Sequence, residues 1–111
     1  MVTLTFRGHS DDTFEAVFDD NTSVGVDNCA SGTSVRCIVA SEGRSLVVTG
    51  QYSRFDNGCW DISIGMVEED DEFPDWGVEF GFEGYTTTLK LTVPNNYKLR
   101  WFDGNKKVLN P

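Results

Sequence analysis

The apolar residues of this chain recur at every second position, and this period constrains its fold more than any other feature. In "WGVEFGFEG", residues 76–84, large apolar side chains alternate strictly with glycine or glutamate. "YTTTLKLTV", residues 85–93, alternates in the same way. A period of two places successive side chains on opposite faces of a β-strand, whereas a helix needs a period near 3.6. Because no segment shows helical periodicity of useful length, we predict an all-β chain.

Turn residues predict how the strands are joined. The dipeptide at 57–58, Asn-Gly, favours a type I′ turn and would pair Phe55 with Trp60 and Arg54 with Asp61. The strand after this turn carries an apolar stripe that runs directly into an acidic segment.

A second two-residue turn is predicted at 83–84, Glu-Gly, which would pair Phe82 with Tyr85 and Val78 with Leu89. Both apolar faces would then lie on one side of the sheet. The residues predicted for the core on these two hairpins are Trp60, Ile62, Phe80, Phe82 and Leu89.

Further strands are predicted at "VTLTF", "TFEAVFD", "SVRCIVA", "LVVTGQYS" and "YKLRWF", with "KKVL" closing a last hairpin across residues 103–104. The stretch "DDNTSVGVDNCASGTS" has the weakest pattern and is predicted to be a long loop. About eight short strands, roughly ten residues apart, indicate an antiparallel β-sandwich or flattened barrel. We expect one such domain over residues 1–111.

The net charge of −9 is divided into three blocks. Residues 1–54 carry −3, residues 55–89 carry ten acids and no base, and residues 90–111 carry +4. Such a polarised surface affects the choice of partner rather than the fold.

The middle block contains five consecutive acids at 68–72. In an extended segment they would place one charge per roughly 3.3 Å, close to the roughly 3.4 Å axial spacing of phosphates along one DNA strand. This spacing predicts a polyanion-like surface that attracts a basic protein. The residues predicted to bind that partner are Glu68, Glu69, Asp70, Asp71, Glu72, Asp75, Glu79 and Glu83.

Two other interpretations of the acidic segment stay open. Four of its carboxylates, at 70–72 and Asp75, could form an irregular calcium site, although the spacing fits no EF-hand because Pro74 and Asp75 occupy the fifth and sixth positions. Alternatively, the segment is a solvated loop that keeps a sheet edge from pairing. We predict no metal and no cofactor.

The stretch "GHSDDTFE", residues 8–15, contains the residue types of a hydrolase triad, including His9 and Ser10. Adjacent loop positions do not satisfy triad geometry, and the chain has neither a GxSxG elbow nor a glycine-rich phosphate loop. We therefore expect a strand connection in which Gly8 adopts an unusual backbone angle, and no catalytic residue.

Cysteine spacing and the amino terminus indicate the compartment. Cys29, Cys37 and Cys59 are odd in number and match no metal-binding pattern, so buried, reduced thiols are expected. No apolar stretch has the length of a signal peptide or of a membrane span. These observations predict a soluble, cytoplasmic protein.

The basic carboxyl end is the one feature that favours direct nucleic-acid binding. Lys90, Lys98 and Arg100 alternate with core positions and are predicted to share an outer face, joined by Lys106 and Lys107. The overall charge of −9 opposes binding to phosphates, so we expect no direct nucleic-acid binding.

Three patches, "GHSDDTFE", "GCWDISI" and "YKLRW", resemble a group of small bacterial and phage-associated proteins with a GHSDD opening and a later G-x-W-x-I strand. The resemblance implies a mobile-element origin and brings no catalytic residue. In size and acidity the chain is also similar to phage inhibitors of host defence, the anti-restriction and anti-CRISPR proteins, several of which imitate DNA.

The leading hypothesis is a non-enzymatic acidic protein that inhibits a nucleic-acid-binding protein of a host defence system. The alternative is a β-sandwich module that binds a sugar or peptide, with or without assistance from calcium. In that case Tyr52, Trp76 or Trp101 would face the ligand instead of the core.

Overall fold

A computed structural model describes residues 1–9, 13–27, 29, 32, 34–53, 59–66, 74–83, 86–102 and 105–109, with only the backbone described at 53, 59 and 105–109. These residues form ten strands and no helix. Within the described ranges, no helix is long and apolar enough to cross a bilayer. The strands are β1 (Val2–Gly8), β2 (Phe14–Val17), β3 (Ser23–Asp27), β4 (Ser34–Ser41), β5 (Arg44–Ser53), β6 (Cys59–Met66), β7 (Gly77–Glu83), β8 (Thr86–Val93), β9 (Lys98–Phe102) and β10 (Asn105–Leu109).

The strands form two antiparallel sheets that enclose one apolar core. The larger sheet has the order β10-β3-β2-β1-β8-β7, and the smaller has the order β6-β5-β4-β9. Their inner faces follow the predicted period of two: in β8, for example, Leu89, Leu91 and Val93 are fully buried, while Lys90 between them is exposed. The predicted all-β sandwich-like fold is confirmed.

The centre of the core is an aromatic cluster around Phe14 and Trp60. The ring centroids of Phe14 and Tyr52 each lie 5.0 Å from that of Trp60. The ring of Trp101 lies 6.2 Å from Phe14 on another side. Trp60 Nε1 donates a hydrogen bond to the backbone oxygen of His9 at 2.9 Å, which satisfies its one polar group inside the core. Trp60 is therefore a core residue, as predicted.

Gly8 is needed for space and not for an unusual backbone angle. It ends β1 in regular pairing with Phe14, and it is not among the residues with positive φ. A Cβ atom built on Gly8 would lie 2.0 Å from Trp60 Cγ. The predicted reason for this glycine was wrong, because the large ring of Trp60 packs directly on the backbone here.

The first predicted hairpin has a different register. Trp60 lies opposite Tyr52, and Asp61 lies opposite Gln51, instead of the predicted partners Phe55 and Arg54. The turn at 57–58 itself lies outside the described residues. The observed register brings the buried Tyr52 ring onto Trp60 in the core.

The second predicted hairpin is shifted by two residues. Glu83 lies opposite Thr86, so that Phe80 faces Leu89 and Val78 faces Leu91. A shift of two leaves every side chain on its predicted face, since side chains alternate with the same period.

Two predictions about connections were wrong. "KKVL" does not pair back on β9: β10 joins β3 in the larger sheet, whereas β9 joins β4 in the smaller one. The stretch predicted to be a long loop contains β3, which is held between β2 and β10. A hairpin absent from our predictions joins β4 to β5, where Glu42 and Gly43 adopt positive φ angles of 54° and 76° in a two-residue turn.

Candidate interaction surface

The acidic residues predicted to bind a partner fall into two groups. Glu68, Glu69, Asp70, Asp71 and Glu72 lie outside the described residues. Asp75, Glu79 and Glu83 are described and exposed, the first just before β7 and the other two on it. The described part of the predicted surface is therefore β7 and its entry.

An apolar stripe on β7 is exposed, contrary to the prediction that Phe80 and Phe82 are core residues. Val78 is 38% exposed, Phe80 48% and Phe82 75%. We call these three side chains the β7 stripe. By contrast, Trp60, Ile62 and Leu89 are buried, as predicted.

The β7 stripe is exposed because the two sheets differ in width. Its residues lie on the core-facing side of the larger sheet, since Phe80 is opposite the fully buried Leu89. The edge strand of the smaller sheet, β6, contacts β8 and β1, and β7 lies one strand further out. Among the described strands, β7 pairs only with β8, so no described strand lies against its other edge.

The outer face of β7 carries only glycine and glutamate, and the charges of the glutamates are partly compensated. Glu83 forms an ion pair with Arg7 of β1. Glu79 lies directly opposite Lys90 of β8 in the sheet register. Opposite charges at facing positions attract one another, so Lys90 offsets part of the charge of Glu79, and the ion pair with Arg7 holds the Glu83 carboxylate over the sheet.

The residues around His9 form a packing motif. Its imidazole Nε2 lies 3.2 Å from Glu15 Oε1, its amide donates to the Thr13 oxygen at 2.8 Å, and its own backbone oxygen accepts the Trp60 hydrogen bond. Ser10, Asp11 and Asp12 lie outside the described residues. The motifs "GHSDDTFE" and "GCWDISI" thus meet at Gly8, His9 and Trp60.

The basic residues do not share one face, which corrects the predicted grouping. Lys98 and Arg100 lie on β9 of the smaller sheet, whereas Lys90 lies on β8 of the larger one. Arg100 and Arg36 extend over the Phe102 ring, with guanidinium carbons 5.1 Å and 5.9 Å from its centroid. These are cation–π distances, which hold both guanidinium groups on the outer face of the smaller sheet. The side chains of Lys106 and Lys107 lie outside the described residues.

The aromatic residues of the alternative hypothesis pack inward. Tyr52 is buried against Trp60, and Trp101 packs on Phe6 and Phe14 at centroid distances of 6.2 Å. Trp76 is half-buried against the core cluster. Cys29 and Cys37, expected to be buried, are core residues, and the Cys59 side chain lies outside the described residues.

Metal ligands show no grouping within the part of the chain that the structure describes: no three His, Cys, Asp or Glu side chains there are close enough to hold an ion. Of the four carboxylates considered for calcium, only that of Asp75 belongs to this part.

Comparisons with models of protein families, with curated proteins and with solved structures find no match to this chain.

Proposed function

We propose that this chain is a non-enzymatic binding protein that docks on a basic, partly apolar surface of a nucleic-acid-binding protein and blocks it. The observation that carries this proposal is the exposure of the β7 stripe on the last strand of the larger sheet, whose outer edge no described strand covers. Large apolar side chains that lie together on a surface mark sites of protein association.

Charge supports the choice of partner. The block of residues 55–89 contains ten acids and no base, and β7 lies within it. Asp75 is an exposed carboxylate at the entry to β7, and Glu79 is an exposed carboxylate on the face of β7 opposite the β7 stripe. A basic partner surface would be attracted at long range by this block and would then cover the apolar side chains at short range.

The resemblance to small phage-associated proteins supports the biological setting. A phage or mobile-element protein that occupies the phosphate-binding groove of a host defence protein would need no catalytic residue. It would need an acidic surface of the right spacing, which the run at 68–72 offers in the sequence.

The test begins with partner capture from the native host, followed by titration of the purified partner against two variants. One replaces Glu68, Glu69, Asp70, Asp71 and Glu72 with glutamine, and the other combines Asp75→Asn with Glu79→Gln. The matched control for the Asp75→Asn, Glu79→Gln variant combines Asp19→Asn with Glu42→Gln. These two exposed carboxylates lie in the connections between β2 and β3 and between β4 and β5.

We expect the five-residue variant to weaken binding at least about tenfold, which corresponds to about 1.4 kcal/mol spread over five charges. The control pair should bind as the wild type does, and a DNA duplex should compete for the partner. Raising salt should slow association, because exposed charges are screened over about 8 Å at physiological ionic strength. Equal binding by the wild type and the five-residue variant would contradict the proposal.

A further inference from the structure

The sequence of β7 is compatible with antiparallel pairing to a second copy of the same strand. We propose that two copies of this chain associate through antiparallel pairing of their β7 strands about a two-fold axis at Phe80, forming one sheet across both molecules. This dimer goes beyond the proposed function and is tested without any partner protein.

The length of β7 selects the register. The strand has seven residues, Gly77–Glu83, and Phe80 is the middle one. A two-fold axis at the middle residue pairs all seven positions of one strand with all seven of the other. An axis displaced by one residue leaves positions unpaired at both ends.

The apolar side chains agree with this register. Residues directly opposite in an antiparallel pair project from the same face of the sheet. With the axis at Phe80, the two Phe80 side chains lie opposite each other, and each Val78 lies opposite the partner copy's Phe82. The two β7 stripes would then form one apolar surface, and each would cover the exposed edge of the other.

The charged side chains agree independently. In the same register Glu79 lies opposite Gly81 of the other copy, and Glu83 lies opposite Gly77, so every glutamate of β7 meets a glycine. Moving the axis to Glu79 would set Glu79 against its own copy, and moving it to Gly81 would set Glu79 against Glu83. Like charges directly opposite are destabilising, so the neighbouring registers are disfavoured.

The net charge of each copy should make the stability of the dimer depend on salt, in the opposite sense to binding of a basic partner. Each copy carries −9, and long-range repulsion opposes their approach. The local repulsion at β7 is reduced because Glu83 is paired with Arg7 and Glu79 faces Lys90. Added salt should therefore strengthen the dimer, whereas it should weaken binding to a basic partner. Because both associations use β7, the dimer and the inhibitory complex would exclude each other.

Sedimentation equilibrium of the full chain at low and high salt tests the dimer. Phe80→Glu places two carboxylates across the axis and should raise the dimer dissociation constant at least about tenfold, or about 1.4 kcal/mol. The control Asn95→Glu adds the same charge at an exposed turn between β8 and β9 and should leave the constant nearly unchanged. A wild type that stays monomeric at high salt and high concentration would overturn the proposal.

Cysteine trapping tests the register separately. Phe80→Cys should form an intermolecular disulfide on mild oxidation, because residue 80 faces residue 80. Gly81→Cys should not, because residue 81 faces residue 79 of the other copy. The wild type, with its three native cysteines, sets the background. Cross-linking of Gly81→Cys as efficient as that of Phe80→Cys would refute this register.

Discussion

Replacing Gly8 with alanine should destabilise the fold strongly, because the added methyl group would occupy the position of the Trp60 ring. The new Cβ would lie 2.0 Å from Cγ and 2.2 Å from Cδ1 of Trp60, well inside van der Waals contact. Overpacking of this kind costs typically about 1–3 kcal/mol. If the ring rotates away, its Nε1 loses the His9 hydrogen bond, and a buried donor without a partner costs about 1–3 kcal/mol more.

We therefore expect Gly8→Ala to lower the free energy of unfolding by about 2–6 kcal/mol, measured by urea denaturation with circular dichroism. The matched control is Gly65→Ala in β6, where a Cβ would meet Val47 Cγ1 at an ordinary 3.6 Å. A double-mutant cycle with Trp60→Leu isolates the clash, since Gly8→Ala should cost much less once the ring is gone. A cost for Gly8→Ala no larger than that for Gly65→Ala would refute the argument.

Two further predictions concern β8 and the loop between β2 and β3. Leu89→Ala should lower the free energy of unfolding by about 2–5 kcal/mol, measured by urea denaturation. Phe80 lies directly opposite but is half exposed, so Phe80→Ala should lower it by less than about half as much. Equal losses would mean that the β7 stripe is covered. The pKa of Asp20 is lowered below its usual value of 3.8 by hydrogen bonds from the side chain and amide of Thr22. Thr22→Val should raise the pKa of Asp20 in an NMR titration. An unchanged pKa would show that the Thr22 hydroxyl does not lower it. Because the pKa of Asp20 is lower in the folded state, its carboxylate stabilises the fold at pH values above the pKa of the unfolded chain. This stabilisation is lost as the pH falls through the pKa of the folded state.

Alternation in the sequence predicted most of the strands and the faces of β6, β7 and β8, because each strand imposes its own period of two, although it missed β3. It could not predict which faces are covered. Phe80 and Leu89 have the same apolar pattern around them, yet one is 48% exposed and the other is buried. Coverage depends on how many strands each sheet contains and where its edge lies, and residues far apart in the chain decide both.

Long-range pairs account for the other errors. Tyr52 replaces Phe55 opposite Trp60 because the core accepts its ring there, and a turn dipeptide carries no information about that packing. The ion pair of Arg7 with Glu83 joins residues 76 positions apart. Their alternation placed each on an outer face, but the pairing of both β1 and β7 with β8 is what brings the two side chains together.

The position of β7 separates binding from stability in this fold. The aromatic cluster of Phe14, Tyr52 and Trp60 lies between the sheets and has little freedom to change, since its rings pack on one another and on Gly8. β7 lies outside that cluster, and the exposed side chains of its stripe contribute less to folding than buried ones would. Substitutions on β7 can therefore alter association while the sandwich stays intact. This separation is what allows the partner-binding and dimer experiments to be interpreted as tests of binding and not of folding.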